Sequence, residues 1–272
     1  MVNRRNFVAG CFSLCASVGL GGTPSASARR IVIAHCGDPQ FGYDAQLEGE
    51  AAYRACLRRM ELTIAKINEI RPDCVCIAGD MVQNWNQAKR DWPRLLKAIR
   101  CPWIVTAGNH DIPDPRSKEQ ACAFAEVFGA DHSARTVKGW RIISFNGQFE
   151  RDPGHHDDYV AWRDGELAAL KASGRPGIVL THQPMLLSRI DEGDTKENYP
   201  KSFRKDLMDR MADSGVRFVL AGHTHRLQMR ACRGIPVLNA ETTCRNFDER
   251  PYGFRLLEAD GGPDYAWNFV AI

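Results

Sequence analysis

The feature that most constrains the fold of this chain is a regular alternation of short apolar runs with longer amphipathic ones. From residue 31 onward, seven short runs have the composition and length of strands: RIVIAHCGD, DCVCIAGD, PWIVTAGNHD, WRIISFNG, GIVLTHQP, VRFVLAGHTH and IPVLNAE. Between these runs, residues 48–70, 87–99, 117–128, 159–172 and 202–214 carry apolar side chains at helical spacing. Such alternation predicts an α/β fold with a mixed sheet, or with two mixed sheets packed face to face.

Two further features complete the predicted framework. Near the C-terminus, YGFRLLEAD and YAWNFVAI are separated only by GGP, which predicts a β-hairpin. Two turn-rich insertions cover residues 147–158 and 187–201. Loops of this length in a compact domain are usually functional or mobile.

The composition is that of an ordinary globular protein. The chain has 272 residues, of which 44% are hydrophobic and 25% are charged, and this length suffices for a large core. The formal net charge is only +3, and no block of Lys or Arg stands out. Because nucleic-acid binding relies on clustered basic charge, the sequence carries no specific nucleic-acid signal.

The first 28 residues have the layout of an export signal. Arg4 and Arg5 precede a moderately apolar stretch, and an A-x-A-type cleavage site follows at residues 26–28. The arginine pair resembles a twin-arginine signal, a type that directs export. We therefore expect residues 1–28 to be a signal peptide whose removal leaves no stable membrane anchor. The mature protein would then be periplasmic or extracellular. A frayed basic tail is the alternative interpretation.

The ten cysteines do not indicate a metal ribbon or a redox motif. Two lie within the predicted signal, and none of the remaining eight forms a C-x-x-C pair. Most are expected to be buried small apolar residues, although export would permit some to pair. A redox protein built on these cysteines is therefore a weak alternative.

Polar side chains follow five of the seven predicted strands, directly where each strand ends. The residues of this kind are Asp38, Gln40, Asp80, Asn109, His110, Asp111, His182, His223 and His225. In open α/β sheets ligands bind outside the carboxyl ends of the strands, so we expect these side chains to converge. Singly, each has a structural alternative as a helix cap, a turn residue or a satisfied histidine.

The donor chemistry of these residues suits hard or borderline divalent metals, because it combines carboxylate, amide and imidazole groups without thiolates. The set is larger than one tetrahedral ion needs. Two ions about 3.5–4 Å apart, bridged by a carboxylate, would use all of these ligands. Glycines at 37, 79, 108 and 222 fit turns at which the backbone passes close to the ions.

The ordered motifs GDPQ, GDMVQN, GNHD, THQP and GHTH resemble those of the calcineurin-like metallophosphoesterase superfamily. The similarity covers nearly all of residues 29–272, which are therefore expected to form the catalytic domain. It implies a four-layer α/β/β/α sandwich of two mixed sheets, with two divalent or di/trivalent ions (Mn, Fe or Zn). The implied activity is hydrolysis of phosphate esters by attack of a metal-bound hydroxide.

The resemblance also implies roles for the individual residues. Seven would be metal ligands. Asp38, Gln40 and His225 would hold one ion, and Asn109, His182 and His223 would hold the other. Asp80 would bridge the two ions. His110 would stabilise the transition state or protonate the leaving oxygen, and Asp111 would orient the His110 ring.

Two positions depart from the family pattern. The family usually has Asp-x-His in its first block, whereas this chain has Asp38-Pro39-Gln40. The residue three positions after Asp80 is Gln83, where the family often has Asp or Asn. A non-catalytic, exported metal-binding protein with a drifted site is therefore the main alternative function.

The resemblance implies a small-molecule phosphate ester as the substrate, and the sequence does not choose between monoesters and diesters. In the first insertion, His155, His156, Asp157 and Asp158 either contact the substrate or belong to a solvated loop, and we favour the loop. The second insertion is expected to form part of the rim of the site. Neither insertion has an aromatic pattern for stacking bases, and the oligomeric state is open.

Overall fold

The computed structural model describes residues 30–85 and 88–272. The strands are β1 (Ile31–Cys36), β2 (Cys74–Ile77), β3 (Trp103–Val105), β4 (Ser133–Val137), β5 (Trp140–Ser144), β6 (Gly177–Leu180), β7 (Val216–Ala221), β8 (Gln228–Cys232), β9 (Ile235–Asn239), β10 (Gly253–Ala259) and β11 (Tyr265–Ala271). The helices are α1 (Gly49–Ile70), α2 (Ala88–Ala98), α3 (Lys118–Phe128), α4 (Asp157–Ser173) and α5 (Lys201–Ser214). The predicted signal peptide lies outside the described residues.

The strands form two mixed sheets. The first has the order β11-β10-β1-β2-β3, and the second has the order β4-β5-β6-β7-β9-β8. In the first sheet, β1 is parallel to β2 and antiparallel to β10. In the second, β5, β6, β7 and β9 are parallel neighbours, and antiparallel strands close both edges. The predicted hairpin is confirmed, because β10 pairs antiparallel with β11.

Three apolar clusters define four layers. Between the sheets, Ile33 and Ile104 of the first sheet belong to the same buried cluster as Ile178 and Leu220 of the second. A second cluster joins the first sheet to α1, α2 and α3, and a third joins the second sheet to α4 and α5. The predicted α/β/β/α sandwich is therefore confirmed, and burial of both faces explains why the central strands are almost continuously apolar.

Two strands were not predicted. Both β4 and β8 lie at the edges of the second sheet, and most of their residues are partly or fully exposed. Their sequences, SARTV and QMRAC, are too polar to match the pattern of a buried strand.

The first insertion is more ordered than predicted. It contains short 3-10 helices at Phe149–Arg151 and Pro153–His155. The prediction of a solvated loop was wrong for His156, which is buried and stacks on Phe149 with ring centroids 3.7 Å apart. His155 and its acidic neighbours Asp157 and Asp158 are exposed, as predicted.

The eight described cysteines are free thiols, and five of them are buried, as expected for small apolar residues. Within residues 30–85 and 88–272, no helix has the length and apolar character needed to cross a membrane.

Candidate metal centre

The carboxyl ends of parallel strands from both sheets meet at one edge of the sandwich. Asp38 and Asp80 follow β1 and β2 of the first sheet, and His182 and His225 follow β6 and β7 of the second. The His182 ring lies 3.6 Å from the Asp38 carboxylate and 3.4 Å from that of Asp80. His225 Nε2 lies 3.7 Å from Asp38 Oδ1. The convergence expected from topology is therefore present, although the ligand roles themselves stay a prediction.

The backbone around the centre is strained. Four of the predicted ligands have positive φ angles, a region that L-residues rarely adopt: Gln40 (31°), Asp80 (47°), His223 (70°) and His225 (51°). Such strain costs of order 1–3 kcal/mol per residue and is concentrated at functional sites.

Two glycines allow the ligands to approach the backbone. Gly79 has a φ of 84°, and a Cβ atom there would lie 2.5 Å from His182 Nδ1. A Cβ atom at Gly222 would overlap the Asp38 carboxylate. As predicted, these glycines stand where the chain passes close to the centre, and larger residues would displace the ligands.

Each of the three histidines among the predicted ligands has one ring nitrogen that donates a hydrogen bond to a backbone carbonyl. His182 Nδ1 donates to Ala78 O at 2.7 Å, and His225 Nδ1 donates to Arg245 O at 2.6 Å. His223 Nε2 donates to Lys196 O at 3.1 Å. A carbonyl oxygen can only accept, so the proton must be on the nitrogen that faces it. In the neutral form of each ring the other nitrogen is then the lone pair that can bind a metal.

The remaining ring nitrogens of two of these histidines face each other. His182 Nε2 lies 3.1 Å from His223 Nδ1 and 3.1 Å from Asn109 Oδ1. Ligand atoms of Asp80, His182 and His223 all lie within 4.8 Å of one another. This set of carboxylate, amide and imidazole groups gathered around one point fits a divalent metal.

The charges of the centre are consistent with a cation site. Burial lowers the pKa of His182, but the Asp80 and Asp38 carboxylates raise it to about 9 overall. Burial, together with the neighbouring His182, lowers the pKa of His223 to about 3. Burial would raise the pKa of Asp80, but the nearby imidazoles hold it below its usual range. The metal-free centre therefore keeps a proton where a metal ion would bind.

The other predicted ligand group lies beside this cluster. Both oxygens of Asp38 accept from the backbone amide of His223, at 2.9 and 2.8 Å. Gln40 donates its amide to Gln83 Oε1 at 2.8 Å, so its own Oε1 is the atom left for a metal. The Cys244 thiol lies 3.9 Å from that oxygen and 3.8 Å from His225 Nδ1. The departures from the family pattern at Gln40 and Gln83 are therefore paired in the structure.

The two predicted catalytic residues have different surroundings. His110 is partly exposed, and its backbone amide donates to Asp80 Oδ1 at 2.9 Å. Asp111 is buried and accepts from the amides of Met81 and Gly108, both at 2.9 Å. Burial and the Asp80 carboxylate raise the pKa of Asp111 to about 8. Among the described hydrogen bonds of Asp111 none goes to the His110 ring, and its carboxylate instead joins the loops after β2 and β3.

Sequence reasoning missed several residues near the centre. The carbonyls of Lys196 and Arg245 belong to loops that carry no metal-binding motif, although the 187–201 segment does reach the rim as predicted. Tyr43 and Phe247 contact the His225 ring, with centroids 5.6 and 5.0 Å away. The sequence offered only weak indications of these two aromatic residues. Tyr43 lies three positions after Gln40, and Phe247 ends the RNF triplet that directly follows Cys244.

A two-sheet sandwich with an Asp, Asn and His cluster at the carboxyl ends of its strands defines a metallophosphoesterase-like protein. The sequence profile of the calcineurin-like phosphoesterase family matches residues 31–227, so the chain belongs to that family. The predicted superfamily is thereby confirmed. Membership makes the chain a phosphoester hydrolase by family and implies divalent metal ions.

Named relatives agree with this assignment, and a solved structure shares the fold. The chain is 31% identical to the serine/threonine-protein phosphatase CPPED1 of Mus musculus over 185 residues, covering 62% of this chain and 59% of that protein. It is 28% identical to a probable cyclic nucleotide phosphodiesterase of Synechococcus sp., covering 81% of this chain and 85% of that protein. A dimetal phosphatase from Danio rerio shares the fold with a TM-score of 0.55 and 12% identity, over 87% of this chain and 98% of that chain.

Proposed function

We propose that this protein is an exported two-metal phosphoesterase that hydrolyses phosphate monoesters or diesters. The observation that carries the proposal is the pair of facing imidazole nitrogens of His182 and His223, which lie 3.1 Å apart beside Asp80. Each ring donates through its other nitrogen to a backbone carbonyl, so both facing nitrogens would become metal ligands once the extra proton on His182 is displaced. An arrangement of this kind is costly unless a cation occupies it.

The residues divide into two proposed ligand groups that share Asp80. Asp38, Gln40 and His225 form one group, and Asn109, His182 and His223 form the other. Bound divalent ions would supply positive charge for the phosphoryl oxygens and would acidify a water molecule. The relatives named as phosphatase and as cyclic nucleotide phosphodiesterase support phosphate esters as the substrates.

The protein's own groups would perform the remaining steps. The backbone hydrogen bond of His110 to Asp80 supports a role for His110 beside the centre, where its ring would give a proton to the leaving oxygen. Asp111 would fix the positions of Asp80 and His110 by holding the amides of Met81 and Gly108. The buried Asp38 holds the amide of His223, which fixes the loop that carries two of the imidazoles.

The test is turnover of bis-p-nitrophenyl phosphate and p-nitrophenyl phosphate with and without added Mn²⁺. Asp80→Asn should abolish metal-dependent release of nitrophenol. Asp213→Asn, an equivalent change at an exposed position on α5, should leave it intact. The ratio of diester to monoester turnover gives the substrate class. Metal retention without turnover of either ester would support the non-catalytic metal-binding alternative, and Gln40→His would then test whether an imidazole restores activity.

Export is the second part of the proposal, and residues 1–28 support it through their arginine pair and small-residue site. Residues 1–28 fused to a folded reporter should carry it out of the cytoplasm and be removed after Ala28. Replacing Arg4 and Arg5 together by lysine should retain the reporter inside. Export that is indifferent to this replacement would exclude the twin-arginine route.

A further inference from the structure

An aromatic and cationic surface adjoins the metal centre on the side of His225. Phe247 stacks on the His225 ring at an interplanar angle of 20°, and Tyr43 meets the same ring edge-on. The guanidinium groups of Arg226 and Arg245 each lie 5.4 Å from the Phe247 centroid, and that of Arg245 also lies 5.4 Å from Tyr43. We call these four residues, Tyr43, Arg226, Arg245 and Phe247, the Phe247 wall.

The wall is held firmly in place. The Phe247 amide donates to His225 O at 2.8 Å, and Leu227 N donates to the Asp248 carboxylate at 2.9 Å. These bonds tie the loop between β9 and β10 to the GHTH loop that carries the metal-binding histidines. Arg59 of α1 secures the same loop by donating to the carbonyl of Thr243 at 2.6 Å. The ring of Phe247 is therefore pre-organised beside the centre rather than carried on a free loop.

Packing alone does not explain this ring. Phe247 is 41% exposed, and it belongs with Leu47, Leu62 and Met229 to the large apolar side chains that the described residues leave open to solvent. Of these four, Phe247 is the aromatic residue and the one that stacks on a predicted ligand. An exposed aromatic ring fixed at the edge of a reaction centre is suited to stack with a planar group of a ligand.

The charges on the wall select for an anion. The centre itself holds the carboxylates of Asp38 and Asp80, whereas Arg226 and Arg245 place two permanent positive charges at its edge. A phosphate ester approaching the centre would meet these guanidinium groups, while a ring attached to its alcohol portion would meet Phe247 and Tyr43. A ligand that has only a phosphate would contact only the two arginines of the wall, and a ligand that has only an aromatic ring would contact only its two aromatic side chains.

We propose that the Phe247 wall is a specificity surface for phosphate esters whose alcohol portion carries a planar aromatic ring. This inference rests on the proposed function, because the centre must bind the phosphoryl group for the wall to meet the ring. Nucleotides and phosphotyrosine share this chemistry. Stacking acts on the part of the substrate that does not react, so it should lower KM and leave kcat nearly constant.

The test compares matched esters on the purified full chain. The monoester pair is AMP and glycerol 2-phosphate, the diester pair is cyclic AMP and glycerophosphocholine, and phosphotyrosine is a further arm. In whichever pair is hydrolysed, the aromatic member should have the lower KM. Phe247→Ala should raise that KM about tenfold, with kcat within about twofold, because stacking is lost. The KM of the aliphatic member should not change.

Two variants serve as controls. Phe247→Tyr keeps the ring and should retain the low KM. Leu62→Ala removes an apolar side chain with the same 41% exposure from the outer helix α1 and should change neither KM. Equal KM changes on aromatic and aliphatic esters after Phe247→Ala, or no change on either, would overturn the proposal. A lower KM for phosphotyrosine than for the nucleotides would identify phosphotyrosine as the source of the ring.

Binding separates failure of the wall from failure of the proposed function. Titration of the Mn²⁺-loaded protein with AMP gives a Kd that does not depend on turnover. If no ester is hydrolysed but Phe247→Ala weakens AMP binding about tenfold, the wall stands and the hydrolase proposal fails. If AMP binds equally to the wild type and to Phe247→Ala, the wall proposal fails whether or not esters are hydrolysed.

Discussion

His182 Nε2 and His223 Nδ1 face each other at 3.1 Å, and each ring donates through its other nitrogen to a backbone carbonyl. The two carbonyls come from different parts of the chain, Ala78 after β2 and Lys196 in the 187–201 segment. Carbonyls from two separate loops therefore fix which nitrogen of each ring donates, and they direct the other two nitrogens at one spot.

Removing metal should destabilise the protein. At a metal concentration of 100 Kd, binding to the folded state contributes about 2.7 kcal/mol to the free energy of unfolding. For a chain of this size, chelation should then lower Tm by roughly 5–10 °C, and Mn²⁺ should restore it. His182→Gln should lose the metal-dependent shift, whereas His155→Gln in the exposed part of the first insertion should keep it. A shift that persists in His182→Gln would place the metal elsewhere.

Gly79→Ala should damage both stability and metal binding. The new Cβ would lie 2.5 Å from His182 Nδ1, and the φ of 84° disfavours any L-residue. We expect a loss of about 1–3 kcal/mol in the free energy of unfolding, with weaker metal retention. In α4, Gly165 has open space around its Cα, so Gly165→Ala should stabilise the chain by about 0.5–1 kcal/mol. Urea unfolding with metal analysis measures both effects.

His110→Ala and Asp111→Asn should have different consequences. Loss of a proton-donating His110 should lower kcat by about 10²–10⁴-fold while Tm and metal content stay unchanged. Asp111→Asn turns an NH₂ group toward the amides of Met81 or Gly108, so it should lower Tm and metal content together. If Asp111→Asn instead reduced kcat with an unchanged Tm, the sequence-based role of Asp111 as the residue that orients His110 would be correct.

Glu192 should make the 187–201 segment sensitive to acid. Its carboxylate accepts from the amides of Leu187 and Arg189 at 2.6 and 2.9 Å. Burial raises the pKa of Glu192, but these donors outweigh burial and bring it from 4.5 to about 2. Because the folded-state pKa is the lower one, the stabilisation is complete above pH 4.5 and is lost as the pH falls toward 2.

Glu192→Gln should therefore lower Tm at pH 7 and flatten the dependence of Tm on pH between about 4.5 and 2. Glu197→Gln makes the same change at another partly exposed glutamate of the segment and serves as the matched control. Thermal unfolding across this pH range distinguishes them. Parallel Tm profiles for the wild type and Glu192→Gln would show that the carboxylate charge contributes nothing to the segment.

The central strands and the convergence of the motifs could be predicted because both follow from local pattern. Apolar runs such as CVCI identify buried parallel strands, and a parallel sheet brings the residues after its strands to one edge. Asp38 and His225 are 187 positions apart in sequence, yet the topology alone placed them together. The edge strands β4 and β8 were missed because their exposed residues carry no apolar pattern.

Contacts made by backbone atoms of distant loops could not be predicted. The carbonyls of Lys196 and Arg245 that set the tautomers of His223 and His225 are invisible in a motif, since every residue has a carbonyl. The same holds for Asp111, whose partners are amides of Met81 and Gly108. Phe247 was missed because the sequence does not show that it lies beside His225; only the fold brings the two residues together.

The proposed ligands are divided between the sheets. Asp38, Asp80 and Asn109 follow strands of the first sheet, whereas His182 and His223 follow strands of the second. A cation held among them would act as a further cross-link between two halves that also meet through the apolar cluster between the sheets and through hydrogen bonds such as that of His182 to Ala78 O. Neither sheet carries all of the proposed ligands, so separation of the two sheets would release the metal. Metal release would therefore measure that separation.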